Sequence, residues 1–180
     1  MTDVNSAVSS ADAGEARPAS ADLEALHWDI IELLFFAYRD FVGDPDEELK
    51  AFGFGRAHHR VMHFVFRYPG LTVADLLNVL RITKQSLGRV LKQLLDEGCI
   101  VQKTGDSDRR QRLLYATDKG EVLVRRMAGL QTVRLNRALK GLDMEKVAMI
   151  TSFLRAMIDR DDPDPVLATI FASAEAPAQE

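Results

Sequence analysis

The side chains with the clearest chemistry are cations and amides that recur along one short stretch: Lys84, Gln85, Arg89, Lys92 and Gln93. Between them, apolar residues recur at three- and four-residue steps: Leu87, Val90, Leu91, Leu94 and Leu95. That spacing predicts a helix with one buried apolar face and one cationic, amide-bearing face. Ammonium and guanidinium groups bind phosphates, and guanidinium and amide groups also bond base edges. The pattern therefore indicates recognition of nucleic acid.

The element that must position this helix is a second, shorter one just before it. Thr72 and Asp75 have the spacing of a capping box, and an apolar stripe follows: Val73, Leu76, Leu77 and Leu80. Only residues 81–83 separate the two predicted helices. Two helices joined by so tight a turn predict a helix-turn-helix, whose second helix lies in the DNA major groove.

Two predicted strands follow, over residues 99–103 and 112–116, joined by a polar loop too long for a tight turn. The loop carries Arg109 and Arg110 at its tip and is predicted to be a wing that enters a minor groove or binds phosphates. Lys103 and Arg112, on the strands, are predicted phosphate contacts.

Charge is distributed unevenly along the chain. Residues 81–112 hold eight basic and four acidic side chains, a local balance of +4 within a chain of net charge −4. The basic segment attracts DNA phosphates, whereas the acidic remainder of the chain is repelled by them.

The predicted fold class is mostly α with a small β-hairpin wing, a winged helix-turn-helix with a helical dimerisation region. The predicted regions are a disordered tail (1–20), an N-terminal dimerisation helix and linker (21–55), the DNA-binding domain (56–117), C-terminal dimerisation helices (118–160) and a flexible tail (161–180). Within 21–55, the run Gly43-Asp44-Pro45-Asp46 is expected to end the helix after Val42.

The terminal helices are apolar on more surface than one small domain can hide. Burial against a second copy resolves this, because apolar area gains roughly 25 cal/mol per Å² when it leaves water. A homodimer would also present two recognition helices about one DNA turn apart, as a pseudo-palindromic operator requires.

Three runs carry a resemblance to a known family: residues 83–86, Asp108-Arg109-Arg110, and Ala116-Thr117-Asp118-Lys119-Gly120. Together they resemble the MarR family of dimeric winged-helix transcriptional regulators, over roughly residues 21–160. The resemblance implies a dimer held by the first and last two helices, with Arg110 oriented by Asp108 towards the minor groove. The predicted DNA-binding set is Thr83, Lys84, Gln85, Ser86, Arg89, Lys92, Lys103, Asp108, Arg109, Arg110 and Arg112.

Two positions depart from expectation. Ala116 stands where the family usually has leucine, which weakens packing under the wing. Gly88 lies inside the recognition helix, where glycine costs about 1 kcal/mol relative to alanine. Either DNA or a neighbouring helix approaches closely there, or the glycine is merely tolerated.

Histidines suggest a second kind of site. His59 and His63 have the four-residue spacing that could place both on one metal or haem. No cysteine or glutamate near His58, His59 or His63 completes a ligand set. We therefore favour packing roles for these histidines and predict no cofactor. The resemblance also implies a small, often aromatic or anionic effector between the dimer helices and the DNA-binding domain. The candidate lining residues are His27, Trp28, Phe35, His58 and His59, and the alternative role for each is packing in the core.

Other function classes are disfavoured. The chain shows no recognisable nucleophile, paired carboxylates or phosphate loop, so an enzyme is not expected. A single cysteine, Cys99, precludes an intramolecular disulfide, and no signal peptide or membrane-length apolar run is evident, so a cytoplasmic protein is expected. The rival hypotheses are a winged-helix module for protein interaction and a haem- or metal-responsive regulator.

Overall fold

The computed structural model describes residues 26–105 and 111–158. Its elements, in chain order, are α1 (Trp28–Lys50), α2 (Arg56–Arg67), β1 (Leu71–Thr72), α3 (Val73–Leu80), α4 (Lys84–Asp96), β2 (Ile100–Thr104), β3 (Arg112–Ala116), α5 (Asp118–Leu139) and α6 (Met144–Ala156). The chain up to Phe36 and the chain from Ala37 onward form separate compact units. The mostly helical fold with a small β-hairpin is confirmed.

The helix-turn-helix forms as its capping signals predict. The Thr72 hydroxyl accepts a hydrogen bond from the Asp75 N–H at 3.2 Å, and the Asp75 carboxylate accepts one from the Thr72 N–H at 2.8 Å. Arg81 ends α3 in the left-handed conformation, with φ of 49°. This residue turns the chain sharply enough for α4 to begin three residues later.

The wing is a three-stranded antiparallel sheet in the order β1-β3-β2. In the hairpin, Ile100 pairs with Ala116 and Thr104 with Arg112. β2 begins at Ile100, so the buried Cys99 precedes the strand and does not begin it as predicted. β1 was missed because it has only two residues, too few for an alternating pattern, and exists only through the pairing of Leu71 with Leu114.

The core of the second unit lies between α2, α3, α4, the sheet and α5. Each contributes side chains that are almost fully buried, among them Val61, Leu76, Leu87, Leu94, Leu114 and Met127. The apolar face predicted for α4 is therefore confirmed, and this face packs α4 onto the rest of the domain.

The predicted helix break at Gly43-Asp44-Pro45-Asp46 is wrong, because α1 continues through Pro45 to Lys50. Pro45 is buried on the same helical face as Val42 and Leu49. Ion pairs with distant arginines stabilise the same turns: Asp44 pairs with Arg134, Asp46 with Arg56 and Glu48 with Arg126. An internal proline costs a helix about 3 kcal/mol, and long-range burial of this face offsets that cost. The predicted linker is thus largely helix.

The last two helices begin where predicted. The Thr117 hydroxyl accepts from the Gly120 N–H, and the Asp143 carboxylate accepts from the Lys146 N–H. α6 differs from the other helices in having no buried residue. Within the described ranges, no helix combines the length and apolarity needed to span a bilayer.

Candidate nucleic-acid interface

The outward face of α4 carries the cationic side chains that the sequence analysis singled out. Lys84, Gln85, Arg89 and Lys92 are exposed, whereas Leu87 and Leu94 on the opposite face are fully buried. Lys92 forms an exposed ion pair with Asp96 one turn on, an interaction weak enough for a phosphate to replace. The helix therefore presents one amide and three cations to solvent from a rigid support.

Thr83 and Ser86 form the start of this helix. The Thr83 hydroxyl accepts a hydrogen bond from the Ser86 N–H at 3.1 Å and donates one to Ser86 Oγ at 2.9 Å. Both residues are exposed. The Thr83 hydroxyl thus caps α4 while both residues stay exposed, so capping does not conflict with the DNA contacts predicted for them.

Gln93 does not belong to the solvent face on which the sequence analysis placed it. Its side-chain Nε2 donates to the Gly53 carbonyl at 3.2 Å, and its Oε1 lies 2.8 Å from His58 Nε2. His58 Nδ1 accepts from the Gly55 N–H at 3.1 Å, which leaves the ring proton on Nε2 to donate to Gln93. Gln93 therefore ties α4 to the turn between α1 and α2. Because its partners lie 35 and 40 residues away, helical periodicity could not reveal them.

The wing strands present two further cations. Lys103 Nζ lies 4.8 Å from the centre of the Tyr115 ring, and Arg112 Nη1 donates to Thr104 Oγ1 at 2.7 Å. Both basic residues are exposed. The predicted wing-tip contacts Asp108, Arg109 and Arg110 lie outside the described residues.

The wing packs against the first turn of α5. The Thr117 N–H donates to the Cys99 carbonyl at 3.1 Å, and the Thr117 hydroxyl donates to the Gly98 carbonyl at 2.7 Å. Lys119 Nζ donates to the Glu97 carbonyl at 2.6 Å. A Cβ on Gly120 would lie 1.9 Å from the Cys99 carbonyl oxygen. Thr117 and Gly120 therefore fix the position of the wing against the first turn of α5.

Cys99 itself is a packing residue. The side chain is buried, and that burial raises the pKa of the thiol. Because an enclosed thiol with a raised pKa is a poor nucleophile, Cys99 has a structural role.

A cavity of about 260 Å³ opens within the second unit, beside α2. It is lined by Tyr38, Phe41, Val42, Arg56, His59, Arg60, His63, Phe64 and Gln131. Of the predicted effector residues, His59 lines this cavity, whereas His58 bonds Gln93. His27, Trp28 and Phe35 are exposed on the N-terminal unit. Sequence reasoning missed Arg56 and Arg60, which carry no signal beyond their position on an amphipathic helix.

Both arginines of the cavity are already engaged. Arg56 Nη2 donates to Asp46 Oδ2 at 2.7 Å, and Arg60 Nη2 donates to the Leu80 carbonyl at 3.1 Å. Leu80 is the last residue of α3, directly before the left-handed Arg81. Arg60 therefore connects the cavity wall to the turn of the helix-turn-helix.

Burial disfavours the charged form of both cavity histidines. Burial lowers the pKa of His59, and the neighbouring His63 lowers it further. Burial also lowers the pKa of His63, and the positive charge of Arg67 adds to that effect. Among the described residues, no three His, Cys, Asp or Glu side chains are grouped so as to hold a metal ion.

These lowered pKa values predict that the protein loses stability as the pH falls below about 6.5. Over that range the unfolded chain takes up protons at His59 and His63 that the folded protein does not. Urea unfolding at pH 7.5 and 5.5 measures the effect, and His59→Gln should reduce the difference between the two values. An equal pH dependence in parent and variant would show that His59 makes no such contribution.

Comparison with known proteins agrees with this geometry. Residues 52–111 match the model of the MarR family. The chain is 47% identical over 129 residues to the HTH-type transcriptional regulator PetP of Rhodobacter capsulatus, covering 72% of this chain and 78% of that protein.

Solved structures with the same fold include Streptococcus pneumoniae FabT in complex with DNA, with a TM-score of 0.63 and 18% identity over 72% of this chain and 92% of that one. Another is a putative MarR family regulator from Listeria monocytogenes complexed with a 26mer DNA, with a TM-score of 0.62 and 22% identity over 71% and 85% of the two chains. The extent and identity of the match to PetP, together with the family model over the helix-turn-helix and wing, establish that the chain belongs to the MarR family.

Proposed function

We propose that the protein is a sequence-specific DNA-binding transcriptional regulator that acts as a homodimer on a pseudo-palindromic operator. The observation that carries the proposal is the outward face of α4, which exposes Lys84, Gln85, Arg89 and Lys92 on a helix packed through its other face. A helix of this kind fits the major groove, where arginine and glutamine bond base edges and lysine bonds phosphates. The DNA complexes of the two structural relatives support this use of the fold.

The wing supplies the second set of contacts in this proposal. Lys103 and Arg112 are exposed on adjacent antiparallel strands and bind phosphates beside the groove that α4 enters. The proposal also includes the minor-groove contacts predicted from the sequence for Asp108, Arg109 and Arg110. In this proposal Thr83, Lys84, Gln85, Ser86 and Arg89 read or flank bases, while Lys92, Lys103 and Arg112 hold phosphates of the DNA backbone.

The dimer follows from apolar surface that the single chain leaves uncovered. On α6, Met149 is 66% exposed and Leu154 is 52% exposed, with Ile150, Phe153 and Met157 beside them. On the N-terminal unit, Trp28 is 55% and Phe35 is 71% exposed. A twofold-related copy covers such self-complementary surfaces and places two α4 helices on one DNA molecule.

Selection of bound sequences from a random DNA library tests the proposal. We expect two related half-sites in inverted orientation, about one helical turn apart. Affinity for the selected duplex should fall steeply between two salt concentrations, because each neutralised phosphate releases counterions. A protein-interaction module would enrich no sequence, and that result would reject the proposal.

Lys92→Ala should weaken binding to selected and unrelated duplexes alike and should reduce the slope of log affinity against log salt by about 1. Fluorescence anisotropy at several salt concentrations measures both quantities. Lys140→Ala, which removes the same charge from an exposed site at the end of α5, is the matched control and should leave the slope unchanged. Equal slopes for Lys92→Ala and the parent would remove Lys92 from the interface.

We propose that the cavity beside α2 binds a small-molecule effector. Aromatic walls from Tyr38 and Phe64, together with the guanidinium of Arg60, suit an aromatic or anionic ligand. Such a ligand alters DNA binding only through different affinities for DNA-competent and incompetent conformations. Thermal-shift screening of aromatic carboxylates, followed by competition with the selected duplex, tests this assignment.

The proposed site of action is the cytoplasm, where the DNA is. The relatives are transcriptional regulators, and we propose no catalytic activity for this chain. The alternative of a haem- or metal-responsive regulator built on His58, His59 and His63 gains no support, since His58 turns to Gln93 while His59 and His63 line the cavity.

A further inference from the structure

Gly88 is a helix-interior glycine that nothing in the described chain explains. It is the fifth residue of α4, well inside the helix. Glycine is unfavourable there because it loses more backbone freedom on folding than any other residue and contributes no side-chain contact. Some compensating requirement is therefore expected at this position.

The usual requirements for glycine are absent at Gly88. Its φ is not positive, unlike that of Gly53, Gly70 or Gly98. Apart from its chain neighbours and the backbone of its own helix, no described atom lies within 4 Å of the position that a Cβ would take, whereas the Cβ of a residue at 120 would meet a backbone carbonyl. The possibility that a neighbouring helix of the same chain approaches Gly88 closely, left open by the sequence, is thus excluded for the described residues.

The surroundings of Gly88 show what could require it. Lys84 and Lys92 lie one helical turn before and after it, on the same exposed line of the helix, and Gln85 and Arg89 flank that line. Gly88 therefore leaves a gap without a side chain in the middle of the cationic face. Two other helix-interior glycines with open surroundings, Gly43 and Gly129, each have an arginine one turn before them but no cation one turn after, where Glu47 and Val133 stand.

We propose that Gly88 is a specificity-determining residue, at which the edge of a base pair in the major groove lies against the bare backbone of α4. The inference rests on the proposed function and adds to it. Lys92, one turn after Gly88, holds the DNA backbone, so the helix is drawn into the groove, and the missing side chain sets how deeply it enters. A methyl group at this position would hold the helix away from the base edges and lengthen the bonds made by Gln85 and Arg89.

Gly88→Ala tests the proposal through two measurements that move in opposite directions. The melting temperature should rise by about 2–4 °C, as expected for a favourable helix substitution in a chain of this size. Affinity for the duplex selected from a random library should fall by tenfold or more, while affinity for an unrelated duplex stays within about twofold. A merely tolerated glycine would give the first result without the second.

Gly129→Ala is the matched control, since Gly129 is an exposed glycine inside α5 with the same open surroundings. It should raise the melting temperature without changing affinity for either duplex, and sedimentation should show both variants in the same oligomeric state as the parent. Unchanged affinity of Gly88→Ala for the selected duplex would overturn the proposal, and so would an equal loss on both duplexes, which would indicate a phosphate contact instead. A parent protein that binds no duplex would reject the proposed function itself, a distinguishable outcome.

Discussion

Gly120→Ala should destabilise the protein by about 3 kcal/mol or more, because the added Cβ would lie 1.9 Å from the carbonyl oxygen of Cys99. The obstacle is main chain at the start of the wing, so it cannot be relieved by a rotamer change. Either the first turn of α5 or the α4–β2 connection must move, and the bonds from Thr117 to Gly98 and Cys99 are lost in both cases. Urea unfolding followed by circular dichroism measures the change.

Gly129→Ala again supplies the control, because it makes the same substitution further along α5 where no atom is near. We expect this variant to be as stable as the parent or more so. If Gly120→Ala unfolded at the same urea concentration as the parent, the close contact between α5 and the wing would not exist in solution.

Leu154→Glu should convert the dimer into a monomer and lower affinity for the selected duplex by roughly 100-fold or more. The side chain is 52% exposed on a helix with no buried residue, so a glutamate there is compatible with the folded chain. In the dimer the same position would bury an unpaired carboxylate, which is strongly unfavourable. A monomer engages one half-site, so the gain from linking two half-sites is lost. Sedimentation velocity and anisotropy measure the two effects.

Ser152→Glu places the same charge on α6, two residues earlier and about half a turn round the helix from Leu154. This variant should remain dimeric and retain its affinity for DNA. A dimeric Leu154→Glu protein would show that the apolar face of α6 is not the interface, and a monomeric parent would reject the dimer altogether.

Local patterning in the sequence determined the helix-turn-helix, the hairpin and the exposed cations of α4. The Thr72–Asp75 capping box, the apolar steps from Leu87 to Leu94 and the Thr117 cap each depend on residues within a few positions of one another, and all formed as predicted. Burial of one face of a short helix leaves its other face to solvent, so the presentation of Lys84, Arg89 and Lys92 followed directly. The DNA contacts of these residues stay predictions.

Tertiary structure alone decided the features that depend on distant partners. α1 continues through Pro45 because this part of the helix is stabilised by residues far along the chain. Arg56 of α2 pairs with Asp46, and Arg134 of α5 pairs with Asp44. Gln93 bonds His58, and Gly120 packs so closely against Cys99 that a Cβ would meet its carbonyl oxygen. Arg56 and Arg60 line one cavity together with His59. The periodicity of apolar residues indicates which face of a helix or strand is buried. Which residues cover that face depends on how the elements pack together. That packing has no local signature in the chain.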